Sequence, residues 1–144
     1  MLGESRSLES LTREECIELL SSAVVGRVVF TLSALPAVVP VTFGLLDDAL
    51  VLRTSEGTRL AAAADGGVLA LEADEIDPVA HTGWSVVVTG IAALVSDPMR
   101  RALIACIVEP FVSGENDVSV SLPLTVVTGR RVVSSTYDPV TATG

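Results

Sequence analysis

Two β-rich runs lie close together near the middle of the chain, at residues 68–73 and 84–95. Aliphatic residues, valine above all, dominate the two runs together, and β-branched side chains favour the extended, pleated backbone of a strand. The polar connection between the runs contains Pro78 and His81, and the second run begins at Trp84, the only tryptophan of the chain. We therefore predict a pair of neighbouring strands at the centre of the chain.

The composition is typical of one small β-rich domain. The 144 residues include 49% hydrophobic but only 3% aromatic side chains, which suits a compact sheet or barrel interior. No apolar run reaches the ~18 residues that span a bilayer, because Thr89 and Gly90 interrupt the longest one. The polar first ten residues lack the features of a signal peptide. We expect a single domain over residues 1–144, cytoplasmic and without a membrane partner.

The charge and the cysteines exclude several other classes of protein. A net charge of −9, with nine arginines and no lysine, repels phosphate backbones, so no nucleic-acid partner is predicted. Cys16 and Cys106 lie far apart in helical-looking segments without metal-ligand spacing. We expect both to be buried apolar residues rather than a disulfide or a metal site.

Three short helices are predicted. Thr12 and Glu15 form a capping box ahead of an apolar stripe at helical spacing. Asp97 is the expected cap of another helix, with Pro98 at its first position. An alanine-rich segment, ended by a glycine pair, gives the third. The predicted helices cover residues 10–22, 59–64 and 98–108.

The remaining alternating runs predict further strands beside the central pair. They lie at residues 27–32, 37–46, 49–54, 118–122 and 125–134. The second of these contains Pro40, which removes one ladder donor and favours a sheet edge or a bulge. Six or seven closely spaced strands with three short helices predict a mainly β (α+β) fold, a closed or split β-barrel. Its core covers about residues 8–134, and the tail from Thr136 is expected to be loose.

A polar loop at residues 54–59 is the first candidate binding segment. It lies where a strand ends and a helix begins, and the hydroxyls of Thr54, Ser55 and Thr58 and the guanidinium of Arg59 are groups that bind phosphate. Arg53 is either a second cation of this site or an ordinary solvated arginine. The alternative interpretation of the loop is a plain turn in which Ser55 or Thr58 caps the helix.

The strand at residues 39–44 is the candidate for contacts with a flat ring. An unpaired strand edge offers main-chain donors and acceptors, and Thr42 adds a hydroxyl, although the same pattern also fits an ordinary half-buried strand. Trp84 is a candidate for stacking on a ring or on a partner chain, or else a core residue at a strand start. His81 has no suitable neighbours, so no metal site is predicted.

The order of these segments resembles the pyridoxamine 5′-phosphate oxidase-like family, whose members are FMN-binding split barrels. The match covers about residues 8–134. EIDP and TGWSVVVTG, within residues 75–90, are similar to an actinobacterial subgroup, and TSEGTR, GRVVF and TGRR fit the same order. The resemblance implies a split β-barrel that forms a homodimer with two FMN sites at the subunit interface.

The resemblance also assigns residues to the site. The family's ring-contacting strand falls on Pro40, Val41 and Thr42. Its phosphate-binding segment falls on Thr54, Ser55, Thr58 and Arg59, and its interface aromatic residue falls on Trp84. Val38 and Val39 stand where vitamin-oxidising members have an arginine, and the C-terminal substrate motif of those members is absent. Oxidation of the vitamin is therefore not predicted.

Two classes of function follow from the sequence. The first is a flavin-dependent oxidoreductase that acts on a small molecule, with FMN as cofactor and no side chain named as catalytic. A variant uses a deazaflavin, whose longer anionic tail would favour a groove lined by Arg53, Arg59 or Arg131. The second class is a non-catalytic barrel that binds a flavin, deazaflavin or haem, or that has lost its ligand.

Overall fold

A computed structural model describes residues 3–110 and 116–137, which form one antiparallel sheet and three helices. The strands are β1 (Gly3–Ser10), β2 (Val25–Leu32), β3 (Leu35–Leu46), β4 (Ala49–Ser55), β5 (Val68–Ile76), β6 (Gly83–Ile91), β7 (Ala93–Leu94), β8 (Asp117–Pro123) and β9 (Val126–Tyr137). The helices are α1 (Arg13–Ser22), α2 (Arg59–Ala64) and α3 (Pro98–Ile107). The strands pair in the order β1-β9-β6-β5-β2-β3-β4-β8-β7.

The predicted fold class is confirmed in part. The fold is mainly β with three short helices, but the described residues contain nine strands rather than six or seven, and no pairing joins β1 to β7 to close the sheet. The predicted central pair is present, because β5 and β6 pair antiparallel in the middle of the sheet. Gly83 begins β6 at a φ of +148°, where a Cβ would lie 2.0 Å from the carbonyl oxygen of Glu75, so only glycine fits this turn.

Two strands were not predicted, for different physical reasons. β1 is a polar strand at the edge of the sheet, and it pairs with β9 from Gly3↔Tyr137 to Ser10↔Arg130. Its side chains from Ser5 to Ser10 are exposed, so no apolar alternation marks it. β7 is a separate strand because the predicted run at residues 84–95 changes partner at Ala92: the run pairs with β5 up to Ile91, whereas Ala93 and Leu94 pair with β8.

The main core lies between the inner face of the sheet and helices α1 and α2. Thr12 caps α1 and forms the predicted capping box with Glu15, and Cys16 and Leu20 are the residues that this helix buries. A smaller core lies under α3, which buries Ile104 against β4. Cys106 on α3 is exposed, so the expectation that both cysteines are buried is wrong for this residue, which faces away from β4.

The remaining predictions on chain organisation have mixed outcomes. The tail expected from Thr136 is strand at Thr136 and Tyr137, and residues 138–144 lie outside the described residues. Within residues 3–110 and 116–137, no helix has the length and apolar character needed to cross a bilayer. The cytoplasmic location stays a prediction.

Candidate functional site

A cleft opens where β3 and β4 separate. The two strands pair only over Phe43–Leu46 and Ala49–Leu52. Beyond this paired part, β4 continues alongside β8, and residues 35–42 of β3 pair with β2 alone. The second edge of this stretch of β3 is therefore unpaired, as Pro40 predicted, and it forms one wall of the cleft.

The direction of the main-chain groups along this wall follows from one hydrogen bond. The N–H of Phe43 donates to the carbonyl oxygen of Val24, at 3.1 Å, on the β2 side. Main-chain groups of alternate residues point to opposite sides of a strand, so Pro36, Val38 and Pro40 direct theirs into the cleft. Proline has no N–H, and this stretch of edge therefore offers carbonyl acceptors with the N–H of Val38 as its donor.

The loop between β4 and α2 forms the opposite wall. The hydroxyl of Thr58 accepts a hydrogen bond from the N–H of Ala61 at 3.1 Å, and it donates to the carbonyl of Ser55 at 2.8 Å. It also lies 3.2 Å from the hydroxyl of Thr54. Thr58 is thus the N-cap of α2, as the alternative interpretation of the loop proposed. This cap fixes the loop and leaves the hydroxyls of Thr54 and Ser55 beside the cleft.

The two arginines of this wall differ in their partners. Arg59 is exposed at the start of α2, and its side chain makes no ion pair or hydrogen bond within the described residues. Arg53 is only 17% exposed, forms an ion pair with Asp117 and donates to the carbonyl oxygen of Val108 at 3.1 Å. The charge of Arg53 is therefore compensated inside the fold, whereas that of Arg59 faces the cleft uncompensated.

These two walls enclose a cavity of about 780 Å³. Seven of the nine residues that the sequence proposed for cofactor binding line it: Pro40, Val41, Arg53, Thr54, Ser55, Thr58 and Arg59. Its polar groups are concentrated on the β4–α2 wall, and its remaining lining is apolar. The structure thus places a strand edge opposite a hydroxyl-and-guanidinium loop across one space.

The other two proposed residues lie outside the cavity lining. The hydroxyl of Thr42 donates to the carbonyl oxygen of Glu109, because Thr42 sits where β3 runs past the end of α3. Trp84 is half-buried in β6, opposite Glu75 and Arg131, and packs against the main core. Trp84 therefore has the surroundings of a core tryptophan, and a contact of either residue with a ligand stays a prediction.

Arg131 also lies elsewhere. It forms a 3.8 Å ion pair with Glu15 of α1 and lines a separate cavity beside that helix. Of the three arginines named for a groove that holds a long anionic tail, Arg53 and Arg59 line the cavity, whereas β9 carries Arg131 to the α1 side of the sheet. The deazaflavin variant stays a prediction.

Sequence reasoning missed the apolar part of the lining. Phe30, Pro36, Ala37, Val38, Val39 and Leu60 all face the cavity. A signal was present, since Pro36 and Pro40 are four residues apart and both therefore lose a donor on the same side of the strand. Val38 and Val39, noted only as departures from the family pattern, form part of the wall.

An apolar row crosses the outer face of the sheet beside the cleft. Pairing places Val38, Val29, Ala70, Thr89 and Val126 side by side on β3, β2, β5, β6 and β9. In this outer row, the side chains of Val38, Val29 and Val126 are 59%, 40% and 55% exposed, respectively. Because Val38 also lines the cavity, the cleft opens next to this face.

A charged cluster lies on the same outer face. Arg27 is opposite Pro40 on one side and Glu72 on the other. Its guanidinium lies 3.4 Å from Glu72 and 3.5 Å from Asp74. Burial, and then the neighbouring Asp74 carboxylate, raise the pKa of Glu72 to about 7, and Arg27 opposes this shift only in part.

Comparison with known proteins shows which family the chain resembles. The chain matches the family described as pyridoxamine 5′-phosphate oxidase over residues 12–142. An uncharacterized protein of Mycobacterium tuberculosis is 41% identical over 140 residues, which cover 94% of this chain and 92% of that protein.

Solved structures share the fold. An FAD binding protein of Mycobacterium smegmatis is 34% identical, with a TM-score of 0.70 over 85% of this chain and 95% of that chain. An FAD-binding protein of Mesorhizobium loti, 19% identical, has a TM-score of 0.74 over 90% and 99% of the two chains. The resemblance found in the sequence is thereby confirmed, and this chain belongs to the pyridoxamine 5′-phosphate oxidase family.

Proposed function

We propose that this protein binds a flavin in the cleft between β3 and β4 and is an oxidoreductase that acts on a small organic molecule. One observation carries the proposal: an unpaired strand edge and the uncompensated guanidinium of Arg59 face each other across one cavity of about 780 Å³. That volume is within the roughly 300–1,000 Å³ typical of small-molecule sites. The FAD binding protein of Mycobacterium smegmatis, which is 34% identical, supports the ligand class.

The donor set of the cavity fits an elongated, flat and anionic ligand. The carbonyl oxygens and the N–H of Val38 on the β3 wall suit the polar edge of a ring, and the apolar lining suits its faces. Arg59 and the hydroxyls of Thr54 and Ser55 suit a phosphate, which a guanidinium can bind through two parallel hydrogen bonds. FMN, the cofactor that the family resemblance implies, carries both features, and FAD and deazaflavins share them.

The redox chemistry would be supplied by the bound flavin, whereas the chain binds it, orients it and excludes water from it. Among the described residues that line the cavity, none is His, Cys, Asp or Glu. No side chain of this chain is therefore proposed as a general acid or base. The apolar Val38 and Val39 on the wall also give no anchor for an anionic vitamin substrate.

The same lack of titratable groups favours one second candidate, a non-catalytic flavin carrier or sensor. The two candidates differ in turnover, not in the ligand. Tight binding of a flavin without reduction by any electron donor would support the carrier.

We further propose that the protein is a homodimer in which a second copy covers the outer face of the sheet. The exposed valines of the outer row support this, since a contiguous apolar patch on a sheet face commonly marks an interface. A second copy on this face would lie beside the cleft, as the family resemblance implies. Sedimentation equilibrium should give twice the mass of the chain, and Val29→Glu should shift the population to monomers.

Flavin binding is tested first on the purified protein. We expect a yellow protein, with a flavin identified by mass spectrometry after denaturation, and tight binding of added FMN, FAD or deazaflavin to the stripped protein in fluorescence titrations. The tightest binder of the three identifies the cofactor. A colourless protein that binds none of them would reject the proposal.

The oxidoreductase activity needs a separate test on the flavin-loaded protein. Anaerobic mixing with a reduced nicotinamide cofactor should bleach the flavin absorbance, and a small organic acceptor should restore it. Loaded protein that no donor reduces would leave the carrier as the function.

A further inference from the structure

We propose that Asp117 determines the charge selectivity of the cleft, because its ion pair with Arg53 leaves Arg59 as the guanidinium available to an anionic ligand. The inference rests on the proposed flavin site and deepens it. It concerns how strongly the cleft prefers a flavin that carries a phosphate over the same flavin without one.

Arg53 occupies a position between two cavities. It lines the flavin cleft, and it also lines a smaller cavity of about 300 Å³ on the α3 side of β4. Its guanidinium is held on the α3 side, by the carboxylate of Asp117 and by the carbonyl oxygen of Val108. The side chain therefore contributes its aliphatic part to the cleft, while its charge is compensated away from it.

Asp117 is well placed to hold this charge. It begins β8, directly opposite Ser55 in the β4–β8 ladder, and its main-chain carbonyl accepts a hydrogen bond from Arg101 at 3.1 Å. One carboxylate oxygen pairs with Arg53, whereas the other is buried and has no hydrogen-bond partner in the described structure. Among residues 3–110 and 116–137, Arg53 is thus the only side chain that the carboxylate binds, and the pair is largely removed from solvent.

Removal of this carboxylate charge should change what the cleft prefers. In Asp117→Asn the guanidinium of Arg53 loses its counter-charge in a position with little access to water. A phosphate bound in the cleft would then serve as a counter-charge for it, since such charges are strongly disfavoured when left unpaired. The cleft would change from one available cation to two.

The experiment compares FMN with riboflavin, which differ only by the phosphate. The preference is the dissociation constant of riboflavin divided by that of FMN, measured by fluorescence titration at low ionic strength. We expect Asp117→Asn to raise this preference about tenfold, equivalent to ~1.4 kcal/mol. The double variant Arg53→Gln/Asp117→Asn should return it to within about twofold of the wild-type value, because the added cation is gone.

A second pair of variants keeps the test decisive if Asp117→Asn does not fold. Arg59→Ala should lose most of the preference, and Arg53→Gln/Arg59→Ala should show the same preference as Arg59→Ala within about twofold. A further large loss in the double variant would mean that Arg53 already binds the phosphate, which would overturn the inference. A folded Asp117→Asn protein with an unchanged preference would overturn it equally.

Failure of the inference is distinguishable from failure of the flavin site. Wild-type protein that binds neither FMN nor riboflavin would reject the proposed function itself. Binding of both ligands, with a preference that does not respond to residue 117, would reject only the role of Asp117.

Discussion

The two halves of the β3–β4 pair show how the same two strands serve stability at one end and binding at the other. In the paired half, Phe43–Leu46 and Ala49–Leu52 form a ladder and bury residues such as Leu50 and Leu52 completely. In the separated half, residues 35–42 and 53–59 diverge around the cavity. The paired half contributes to both cores of the domain, and the separated half exposes main-chain and polar groups.

The local sequence explains why the separated half of β3 has no partner on its β4 side. The paired half contains no proline, whereas the separated half has Pro36 and Pro40 at positions whose main-chain groups face β4. A proline at such a position cannot donate to a neighbouring strand, so the ladder cannot continue past it. The separation is therefore encoded by residue type, and the cleft is a built feature of the fold.

The largest expected effect is a difference in how much a substitution in each half lowers the stability of the fold. Leu50→Ala should lower the free energy of unfolding by about 2–5 kcal/mol, because Leu50 is fully buried and its truncation leaves a cavity. Leu35→Ala, at the exposed end of the separated half, should change it by less than about 0.5 kcal/mol. Urea unfolding of both variants measures the difference. Equal losses in the free energy of unfolding would contradict the comparison.

The second effect concerns binding. Arg59→Ala should weaken FMN binding by about 1.5–3 kcal/mol, which is the typical contribution of a hydrogen bond to a charged group. The urea midpoint should change little. Arg13→Ala is the matched control, since Arg13 is also an exposed arginine at the first position of a helix, outside the cleft. If the two variants bind FMN equally well, Arg59 is not part of the site.

A pH dependence is expected from the charged cluster beside the separated half. The pKa of Glu72 is raised to about 7 in the folded chain. Between its usual value of about 4.5 and 7, the folded chain binds more protons at this residue than the unfolded chain does. The free energy of unfolding should therefore fall, by roughly 1–3 kcal/mol, as pH rises through this window.

Glu72→Gln isolates this contribution, because the amide does not titrate. Urea unfolding at pH 5 and pH 8, at one fixed protein concentration, should show a smaller loss of stability in the variant than in the wild type. Glu9→Gln, an exposed acid of β1, is the control. Identical pH profiles for Glu72→Gln and wild type would show that Glu72 titrates normally.

The smallest expected effect concerns the unpaired edge of β3 at Pro40. Pro40→Ala restores an N–H that faces the cleft, and it also increases the conformational freedom of the unfolded chain. We expect the free energy of unfolding to fall by about 0.4–1 kcal/mol and self-association through the new edge donor to increase. Light scattering against protein concentration measures the association, and Pro123→Ala provides a proline control at the end of β8.

Local signals in the sequence predicted much of the fold and part of the candidate site. The capping box of Thr12 and Glu15, the bounds of α2 and the unpaired edge at Pro40 are all set by neighbouring residues, and each is confirmed. The loop at residues 54–59 was recognisable because its polar residues interrupt apolar runs. Their role in binding stays a prediction.

The features that were missed depend on contacts distant in sequence. β1 pairs with β9 across most of the chain and has no apolar face, so its strand character comes from its partner alone. The ion pair of Arg53 with Asp117 joins residues 64 positions apart, and it compensates the charge of Arg53 but not that of Arg59. The hydrogen bond from Thr42 to Glu109 likewise depends on where α3 packs.

The most direct test of the cleft as the binding site is a crystal structure of the protein with FMN. We predict the ring against the β3 edge at Val38 and Pro40, and the phosphate within hydrogen-bonding distance of Arg59. An FMN molecule bound elsewhere, with the space between β3 and β4 filled by solvent, would contradict the account.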